Sequence, residues 1–428
     1  MEIYGADSIC GEIKVPGDKS ISHRSAIISS ITKDNVVIEN FLFSEDCIKT
    51  IEVLKKVGVK IEKLNGNLIV YGRGIESFKE PDEILDVGNS GSTIRIISGV
   101  LCATNFLSVL SGDKSINSRP MGRIINSLNE MGAKIYGRDN NTKAPVVIFG
   151  NPELVGKKHE ISVSSAQVKS CITLAALHAK GETEIIQPEV SRDHTERMLE
   201  YLGAKIVYDG RYTKIVPGKD LKGRNIYVPG DISSAAYFII ASLILKNSHT
   251  LIKDVGINPT RCYFLDILKK MGAKIVIKNI RNINNEPFAD IETFYSKLNS
   301  IEIGKEKIPN IIDEIPILCV AASAASGKTV IRGAEELRYK ESDRISSIAS
   351  QFRKLGVDIE EKTDGLIING DKNLKVEEGV VESFGDHRVA MSLAILSLLS
   401  KGKVKILSSE CIDTSFPGFK YILKKVLV

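Results

Sequence analysis

Leu268-Lys-Lys-Met-Gly272-Ala-Lys-Ile275 is the stretch of sequence that most clearly indicates the fold. The leucine and methionine have the spacing of an amphipathic helix end, and the residues after the glycine favour a strand. Glycine closes a helix in the left-handed conformation without steric cost, so the stretch predicts a helix, a tight turn and a strand. Four further copies of this pattern occur at residues 54–61, 128–135, 199–206 and 352–359.

The copies recur at a nearly constant interval, because their glycines lie 69 to 84 residues apart. The C-terminal LKKV at residues 423–426 supplies a sixth helix end if Leu427 holds the place of the glycine. Six repeats of about 71 residues would then fill the chain. Apolar runs bounded by turn residues predict further strands at 67–71, 145–149 and 365–369. This pattern predicts an α/β protein of two pseudo-symmetric halves with three repeats each. A solenoid is less favoured because its repeats are usually shorter.

The composition is typical of a soluble globular protein, since 43% of the 428 residues are apolar and 26% are charged. That length suggests two or three domains, and a two-domain enzyme fits it. The longest apolar runs, at 235–245 and 389–399, are shorter than the roughly 18 residues of a membrane-spanning helix, so they are predicted to be buried helices. The N-terminal MEIYG has no signal-peptide pattern, and we expect a cytoplasmic protein without a membrane partner.

Charge and cysteine usage narrow the choice of partners. The seven cysteines are dispersed and form no C-x-x-C pair, which favours reduced thiols over disulfides or a zinc site. The net charge of +5 is modest and spread along the chain, and 6% aromatic residues without Trp are not typical of a nucleic-acid surface. We therefore expect an anionic partner of some kind, no metal and no nucleic acid.

The segment VPGDKSISHR at residues 15–24 has the pattern of a turn followed by an apolar helix. Ser20 or Ser22 could cap that helix, and the first N–H groups of the helix, Lys19 and Arg24 could then converge on one anion. The segment predicts part of a phosphate or carboxylate site. The alternative is that both cationic side chains are ordinary solvated charges.

A second segment, DVGNSGSTIR at residues 86–95, also leads into an apolar helix. Small side chains let an anion approach backbone donors closely, so Asn89 and Gly91 are the predicted contacts. In SRPM at residues 118–121, the fixed φ of proline suits the first turn of a helix that ends near residue 131. Arg119 is therefore predicted to point at a helix start, where it could bind a phosphate or carboxylate in a bidentate way.

Polar turn residues also fill a third segment, VSSAQVKS at residues 163–170. It is predicted to connect a strand to a helix and to offer several hydrogen bonds to a sugar-like ring or a phosphate. The alternative is that its serines are only helix caps.

A fourth segment, LRYKESDR at residues 337–344, is followed later by GDHR at 385–388. Lys340 and Arg344 are four apart, so on a helix they would share a face with nothing acidic between them and would repel unless an anion separated them. Glu341 beside them, and Asp313 ahead of a long apolar helix, are candidate proton-transfer groups. A helix cap or a surface ion pair is the alternative for each carboxylate.

Two short motifs do not indicate nucleotide cofactors. SGKT at residues 326–329 resembles the end of a P-loop, but Ala322 stands where that motif needs glycine. GRG at residues 72–74 lacks the third glycine of a dinucleotide fingerprint, because Ser77 is there instead. Neither ATP nor NAD is expected.

The segments PGDKSISHR, GNSGSTIR, SRPM, SSAQVKS, RYKESDR and GDHR, in this order, resemble the 5-enolpyruvylshikimate-3-phosphate synthase family over essentially the whole chain. The resemblance implies the two-domain enolpyruvyl transferase fold, an inverse α/β-barrel-like arrangement of six βαβαββ-type repeats, three per domain. It implies a C-terminal lobe of residues 1–18 plus 228–428, which includes the first strand, and an N-terminal lobe of residues 19–227. The active site is then expected in the cleft between the lobes.

The resemblance also implies an activity, the transfer of the enolpyruvyl group of phosphoenolpyruvate to the 5-hydroxyl of 3-phosphoshikimate. Phosphate is released through a tetrahedral ketal, in a step of the shikimate pathway to chorismate and the aromatic amino acids. No metal or organic cofactor is expected, and we expect a monomer. Glyphosate is expected to bind in the phosphoenolpyruvate site.

Carried onto matching positions, the resemblance implies the residues of each site. Catalysis is assigned to Asp313, Glu341 and Lys19, with Glu341 serving C3 of phosphoenolpyruvate and Asp313 the hydroxyl group. The implied contacts to 3-phosphoshikimate are Lys19, Ser20, Arg24, Ser164, Ser165, Gln167, Ser191, Asp313 and Lys340. The implied contacts to phosphoenolpyruvate are Lys19, Asn89, Gly91, Arg119, Gln167, Arg344 and Arg388.

Two rival functions are weighed against this one. The sister enzyme that transfers enolpyruvate to UDP-N-acetylglucosamine usually has Lys-Asn where this chain has Lys19-Ser20, and a cysteine before the Arg-Pro step that is absent here. A non-catalytic protein that binds anions or nucleic acid in the same cleft would not need Asp313 and Glu341, because carboxylates weaken anion binding. In addition, many family members have a lysine in the C-terminal loop that reads IDTSFP at residues 412–417 here, so one contact to phosphoenolpyruvate is absent or supplied elsewhere.

Overall fold

The computed structural model describes residues 1–218 and 220–428 and divides them into two compact units. Unit 1 contains Met1–Pro16, Pro229–Arg281 and Pro287–Val428. Unit 2 contains Gly17–Val228 and the short segment Asn282–Glu286. The N-terminal segment thus belongs to the same unit as the C-terminal half of the chain.

Each unit has seven α-helices among the described residues. Those of unit 2 are α1 Lys19–Ser30, α2 Glu45–Lys56, α3 Gly91–Leu101, α4 Gly122–Glu130, the single irregular turn α5 Arg138–Asn141, α6 Ala166–Ala176 and α7 His194–Tyr201. Those of unit 1 are α8 Ile232–Ile244, α9 Tyr263–Lys270, α10 Ile308–Ile311, α11 Ile315–Ser323, α12 Arg344–Lys354, α13 His387–Ser397 and α14 Phe419–Val426.

The strands form three sheets in each unit. The strands of unit 2 are β3 Asn35–Glu39, β4 Lys60–Leu64, β5 Asn67–Tyr71, β6 Leu85–Asp86, β7 Leu107–Ser111, β8 Lys134–Gly137, β9 Lys143–Phe149, β10 Lys158–Glu160, β11 Thr183–Ile186, β12 Lys205–Asp209, β13 Tyr212–Val216 and β14 Ile226–Tyr227. They are arranged in the orders β14-β3-β5-β4, β6-β7-β9-β8 and β10-β11-β13-β12.

The strands of unit 1 come from both ends of its sequence. They are β1 Glu2–Tyr4, β2 Cys10–Lys14, β15 His249–Gly256, β16 Lys274–Ile283, β17 Glu286–Phe294, β18 Glu302–Ile303, β19 Gly327–Ile331, β20 Asp358–Lys362, β21 Gly365–Gly370, β22 Gly379–Glu382 and β23 Lys403–Leu407. They are arranged in the orders β16-β17-β15-β2, β18-β19-β21-β20 and β1-β23-β22. The strands predicted at residues 67–71, 145–149 and 365–369 are therefore confirmed as β5, part of β9 and part of β21.

The four-stranded sheets share one pairing pattern. In the sheet of β3, the strand β14 pairs with it in parallel, β5 pairs with it antiparallel, and β4 pairs antiparallel with β5. The sheets of β7, β11 and β19 have the same sequence of one parallel and two antiparallel pairs. The second antiparallel pair of each sheet joins strands that are consecutive in the sequence, such as β4 and β5, and a helix precedes this pair, as the helix-turn-strand pattern predicts.

Each unit is built around its own apolar core, and the most apolar helices lie inside these cores. Every residue of α8, α11 and α13 is buried, which confirms the two buried helices predicted at residues 235–245 and 389–399. In unit 2, α1, α3 and α6 are buried along almost their whole length. Among the described residues, no helix has both the length and the apolar character needed to cross a bilayer. All seven cysteines are free thiols.

The five glycine junctions have the predicted geometry. Gly58, Gly132, Gly203, Gly272 and Gly356 all have a positive φ, between 82° and 95°. In each copy the glycine N–H donates to the carbonyl three residues back at 2.9–3.0 Å, and the next N–H donates five residues back at 2.9–3.1 Å. These paired bonds satisfy carbonyls that the helix end would otherwise leave open.

The sixth copy was predicted incorrectly at its last position. Helix α14 ends at Val426, but Leu427 has φ −70° and ψ 136° and is extended. Its backbone forms a bridge with Ile9. A leucine side chain disfavours the left-handed conformation, so the chain leaves this helix in a strand-like conformation.

Gly203 provides a direct test of this junction. The space around its Cβ position is open and its φ is +93°, so alanine there meets backbone strain without any steric clash. We expect Gly203→Ala to lower the free energy of unfolding by about 1 kcal/mol, as measured by urea denaturation.

Gly122→Ala is the matched control in the same unit. Gly122 is the first residue of α4, and a Cβ there would lie 3.4 Å from its nearest neighbour, an ordinary contact. This variant is expected to keep the stability of the parent or to raise it by up to about 1 kcal/mol. Equal losses in the two variants would contradict the role assigned to the left-handed turn.

Candidate active site

The start of α1 differs from the sequence prediction, because neither Ser20 nor Ser22 is the helix cap. Asp18 is the cap, and its side chain accepts a hydrogen bond at 2.8 Å from the backbone N–H three residues on. An aspartate caps as well as a serine and adds a negative charge at the positive helix end. The helix therefore begins at Lys19, whose ammonium group lies 2.9 Å from Asp46.

Arg24 is almost fully buried and is held by fixed oxygen atoms. Its guanidinium donates to the Ser20 carbonyl at 3.0 Å, to the Ser170 hydroxyl at 2.9 Å and to the Thr195 hydroxyl at 2.8 Å. Burial, and then repulsion by Arg192, lower the pKa of Arg24 to about 10. Arg192 also donates to the Ser20 hydroxyl at 3.3 Å. Two guanidinium groups that repel each other at close range are an arrangement that a bound phosphate would stabilise.

The serine-rich turn before α6 is fixed by hydrogen bonds. Ser165 caps α6 and accepts from the backbone N–H three residues later at 3.4 Å. Ser164 donates to the Glu189 carbonyl at 2.7 Å and accepts from the Glu189 N–H at 2.8 Å. Ser191 donates to the Gln187 side chain at 2.7 Å. The two turns that carry the predicted serines are therefore tied directly to each other.

Gln167 links the first turn of α6 to α3. Its carbonyl oxygen accepts from Arg95 at 2.8 Å, and its amide nitrogen donates to the Ser92 hydroxyl at 3.1 Å. The contact brings the third predicted segment next to the second. It also holds Arg95, a cation that the sequence motif contains but that the sequence prediction left without a role.

Gly91 lies where two guanidinium groups approach the start of α3. A Cβ at this position would be 2.8 Å from Nη1 of Arg95 and 3.3 Å from Nη1 of Arg119. Arg119 is held by the Asn89 side chain at 2.6 Å and by the Ser115 hydroxyl at 3.0 Å. Glycine thus permits the close approach of cations to the first N–H groups of a helix, an arrangement suited to an anion.

The position of Pro120 corrects a second sequence prediction. Helix α4 begins at Gly122 with Met121 as its cap residue, so Pro120 lies outside the first turn. Arg119 has extended backbone angles, φ −73° and ψ 150°. Its guanidinium therefore reaches the start of α3, through Asn89, and not the start of α4 as predicted.

In unit 1, three carboxylates surround the buried guanidinium of Arg344. Glu341 lies at 2.5 Å, Asp386 at 2.8 Å and Asp313 at 3.6 Å. Burial works against the charge of Arg344, but attraction by Asp386 and Glu341 raises its pKa above the usual value. The group is therefore a permanent cation in contact with both candidate proton-transfer residues.

Arg388 approaches Asp313 from a second helix. It donates to the Asp313 carbonyl at 2.9 Å, and its guanidinium lies 3.7 Å from the carboxylate. Although burial opposes its charge, Asp313 and then Tyr237 raise the pKa of Arg388 above the usual value. Asp386 caps the helix that carries Arg388 by accepting from its N–H at 2.9 Å. Arg344 and Arg388 thus approach different oxygens of the Asp313 carboxylate.

Lys340 does not share a helix face with Arg344, which corrects a third sequence prediction. A 3₁₀ turn ends at Tyr339, Lys340 has φ −88° and ψ −154°, and α12 begins only at Arg344, with Asp343 as its cap. Glu341, which was predicted to lie beside these cations, contacts Arg344. A capping aspartate interrupts the helical spacing that the sequence suggested.

The candidate site residues divide between the two units. Those of unit 2 are Lys19, Ser20, Arg24, Asn89, Gly91, Arg119, Ser164, Ser165, Gln167 and Ser191, and those of unit 1 are Asp313, Lys340, Glu341, Arg344 and Arg388. Within the described ranges, no group of three or more His, Cys, Asp or Glu side chains is placed to hold a metal ion.

Sequence reasoning missed several functional neighbours. Thr195 and Ser170 accept hydrogen bonds from Arg24, and Asp386 accepts one from Arg344. Arg192 is a further cation, which donates to Ser20. Asp386 had a usable signal, because an aspartate before an apolar helix is a typical cap. Arg192 and Thr195 had none, since only the tertiary fold brings them to Ser20 and Arg24.

A sequence model of the EPSP synthase (3-phosphoshikimate 1-carboxyvinyltransferase) family matches residues 3–423. The chain is 48% identical over 429 residues to the 3-phosphoshikimate 1-carboxyvinyltransferase of Petrotoga mobilis, covering 100% of this chain and 99% of the relative. It is 50% identical over 419 residues to the enzyme of the same name from Thermoanaerobacter sp. strain X514, covering 98% of each.

Solved structures agree with these relatives. The 2.37 Å structure of EPSP synthase from Acinetobacter baumannii matches with a TM-score of 0.89 at 40% identity, over 99% of this chain and 97% of that one. The enolpyruvyl transferase NikO from Streptomyces tendae matches with a TM-score of 0.81 at 16% identity, over 99% and 96%. The second likeness concerns the fold alone.

Proposed function

The chain belongs to the EPSP synthase family, and from that premise we propose which residues perform each part of the reaction. The protein transfers the enolpyruvyl group of phosphoenolpyruvate to the 5-hydroxyl of 3-phosphoshikimate and releases phosphate. The observation that carries the assignment of roles is the contact of Glu341 and Asp313 with the same buried guanidinium, that of Arg344. Carboxylates beside a cation that binds an anionic substrate are placed to move protons on that substrate.

The phosphate of 3-phosphoshikimate is assigned to the start of α1 and its neighbours. Ser20 and Arg24 lie together there, and Arg192 adds a second guanidinium that contacts Ser20. A doubly charged phosphate between the two guanidinium groups would replace repulsion by attraction. The other proposed contacts to this substrate are Lys19, Ser164, Ser165, Gln167, Ser191, Asp313 and Lys340.

Phosphoenolpyruvate is assigned to two sets of cations. Arg344 and Arg388 would bind its carboxylate, because both are permanent cations fixed around Asp313. Arg119 and the N–H groups near Gly91 would bind its phosphate, since glycine lets guanidinium groups lie close to the start of α3, where one anion could contact both. The remaining proposed contacts are Lys19, Asn89 and Gln167.

Electrostatics explains why so many cations are needed. The two substrates bring two phosphates and two carboxylates together, and unit charges at about 4 Å repel by roughly 4 kcal/mol at an effective dielectric constant near 20. Converging lysine and arginine side chains offset this repulsion and fix the reacting atoms.

The proton transfers are assigned to Glu341, Asp313 and Lys19. Glu341 would deliver a proton to C3 of phosphoenolpyruvate, while Asp313, assisted by Lys19, would take the proton of the attacking hydroxyl. The resulting tetrahedral ketal then loses phosphate and a proton. Arg344 donates to Glu341 at 2.5 Å. A substrate carboxylate that takes over this guanidinium would release Glu341 for its role.

The reaction moves protons and a phosphate leaving group, and these steps use only the side chains named above. We therefore propose that the enzyme needs no organic cofactor or metal. We also propose that it works as a cytoplasmic monomer. Glyphosate, which carries a phosphonate and a carboxylate, is proposed to occupy the phosphoenolpyruvate site.

Phosphate release tests the proposed activity directly. We expect the purified protein to release inorganic phosphate from phosphoenolpyruvate only when 3-phosphoshikimate is present, in a molybdate assay without added metal. Release that is independent of 3-phosphoshikimate, or none with both substrates, would refute the assignment.

Glu341→Gln tests the proton donor. The amide can still contact Arg344 but cannot supply the proton, so kcat is expected to fall by about 10²-fold or more while both KM values stay within a few-fold of the parent. Glu335→Gln is the control, because Glu335 is an exposed carboxylate in the adjacent 3₁₀ turn. A comparable loss in the control, or full turnover in Glu341→Gln, would remove Glu341 from the mechanism.

Glyphosate inhibition tests the anion site. We expect inhibition that is competitive with phosphoenolpyruvate, because the phosphonate and carboxylate would use the same guanidinium groups. Steady-state inhibition patterns at several concentrations of each substrate provide the measurement. Inhibition that no concentration of phosphoenolpyruvate can relieve would place glyphosate elsewhere.

A further inference from the structure

The first turn of α7 is fastened by four consecutive side chains. His194 contacts Glu286 at 2.7 Å, Thr195 contacts Arg24 at 2.8 Å, and Glu196 contacts Lys169 at 2.6 Å. The fourth side chain, Arg197, donates to the backbone carbonyl of the residue before Glu286 at 2.9 Å. One helical turn thus joins a predicted substrate cation to a distant segment of the sequence.

That distant segment is the turn between β16 and β17. Its residues Asn282–Glu286 belong to unit 2, although the strands on either side continue into unit 1. Asn285 accepts from Arg197 through its carbonyl and donates to Glu200 at 3.1 Å. The segment is therefore attached to α7 along its first two turns.

The pair of His194 and Glu286 is buried. Both side chains are no more than 3% exposed, and Nδ1 of His194 lies 2.7 Å from Oε1 of Glu286. The other ring nitrogen of His194, Nε2, has no hydrogen-bond partner among the described residues. Among the described residues, Glu286 is therefore the hydrogen-bond partner that orients the imidazole.

The next residue along the helix transmits this orientation to the phosphate site. Thr195 presents its hydroxyl to Nε of Arg24 and also contacts the Ser170 hydroxyl at 2.6 Å. Burial and repulsion by Arg192 lower the pKa of Arg24, and Glu286 is among the carboxylates that oppose this shift. Glu286 is thus coupled to Arg24 both through α7 and through space.

We propose that Glu286 is a positioning residue for the phosphate of 3-phosphoshikimate. It fixes His194 and hence the first turn of α7, so that Thr195 holds the guanidinium of Arg24 in the geometry that accepts the phosphate. The proposal rests on the assignment of Arg24 to that phosphate.

The energetics of buried pairs of ionisable groups support a geometric role. Removing two ionisable groups from water costs about as much as their attraction returns, so an apolar pair of the same volume would give equal or greater stability. What the pair adds is a directional hydrogen bond at one defined point of α7. Loss of a contact that only stabilises the fold would not change the KM for 3-phosphoshikimate more than the KM for phosphoenolpyruvate.

The test compares two KM values in variants of Glu286. Glu286→Ala removes the hydrogen bond and is expected to raise KM for 3-phosphoshikimate about 10-fold, the effect of roughly 1.4 kcal/mol, with kcat and KM for phosphoenolpyruvate within twofold of the parent. Glu286→Gln keeps an oxygen that can accept from Nδ1–H and is expected to restore KM to within about threefold. Titration calorimetry with 3-phosphoshikimate alone should show the same order of affinities.

Two further variants make the result decisive. If Glu286→Ala does not fold, Glu286→Asp replaces it. The shorter side chain keeps the charge, but its carboxylate would lie too far from Nδ1 of His194 for the hydrogen bond. Thr195→Val should raise the same KM, and combining it with either variant should give less than the product of the separate effects, since both act on Arg24.

Glu130→Ala is the matched control, since Glu130 contacts the buried His159 at 3.1 Å in the same unit and has no assigned role at the substrates. An unchanged KM for 3-phosphoshikimate in Glu286→Ala, an equal rise of both KM values, or the same rise in Glu130→Ala would overturn the proposal. Phosphate release by the parent protein tests the activity separately, so an active parent with an inert Glu286 series would reject only this inference.

Discussion

Burial of arginine is the constraint on which the site depends. Arg24 is 2% exposed, Arg344 1% and Arg388 8%. A guanidinium group taken out of water loses several kcal/mol of hydration free energy, which fixed oxygen partners must replace. Unit 2 supplies mostly hydroxyls and carbonyls for Arg24, whereas unit 1 surrounds Arg344 with carboxylates. This difference leaves Arg24 with a lowered pKa and Arg344 with a raised one.

Many of the candidate site residues lie at the starts of helices, where cap residues supply oxygen atoms. In unit 2, α3 and α6 are capped by Ser90 and Ser165 and have no acidic residue in the first turn, so their positive ends remain available to an anion. In unit 1, α12 and α13 are capped by Asp343 and Asp386, which neutralise the helix ends and bind the neighbouring cations. The same structural device thus gives α3 and α6 uncharged caps, whereas α12 and α13 begin with carboxylates.

Local chemistry explains how much of this was predictable. The glycine junctions and the buried helices were predicted correctly, because a left-handed turn and an apolar run are decided by residues adjacent in sequence. The helix starts were less predictable: Asp18 caps α1 in preference to Ser20, and Asp343 interrupts the spacing between Lys340 and Arg344. Several residues can cap equally well, so packing makes the choice.

The partners of the cations were the least predictable feature of the site. Nothing near Arg24 in the sequence indicates that Thr195 and Ser170 hold its guanidinium, and nothing near His194 indicates Glu286. These contacts join segments 92 to 171 residues apart. A repeat pattern specifies helices and turns within a unit, but it does not specify which helix starts meet.

The partners of Arg344 differ in a way that connects binding to chemistry in the proposed reaction. Asp386 is fully buried and accepts a hydrogen bond from Nε of Arg344 at 2.8 Å. We therefore expect it to remain bound to Arg344 when a substrate binds. Glu341 and Asp313 are more exposed and contact the outer nitrogens, at 2.5 and 3.6 Å. In the proposed reaction, a substrate carboxylate at Arg344 would compete with Glu341 and Asp313 but not with Asp386. Asp313 would keep its contact with Arg388. Glu341 would be released from Arg344 and would become available when there is a substrate on which to act.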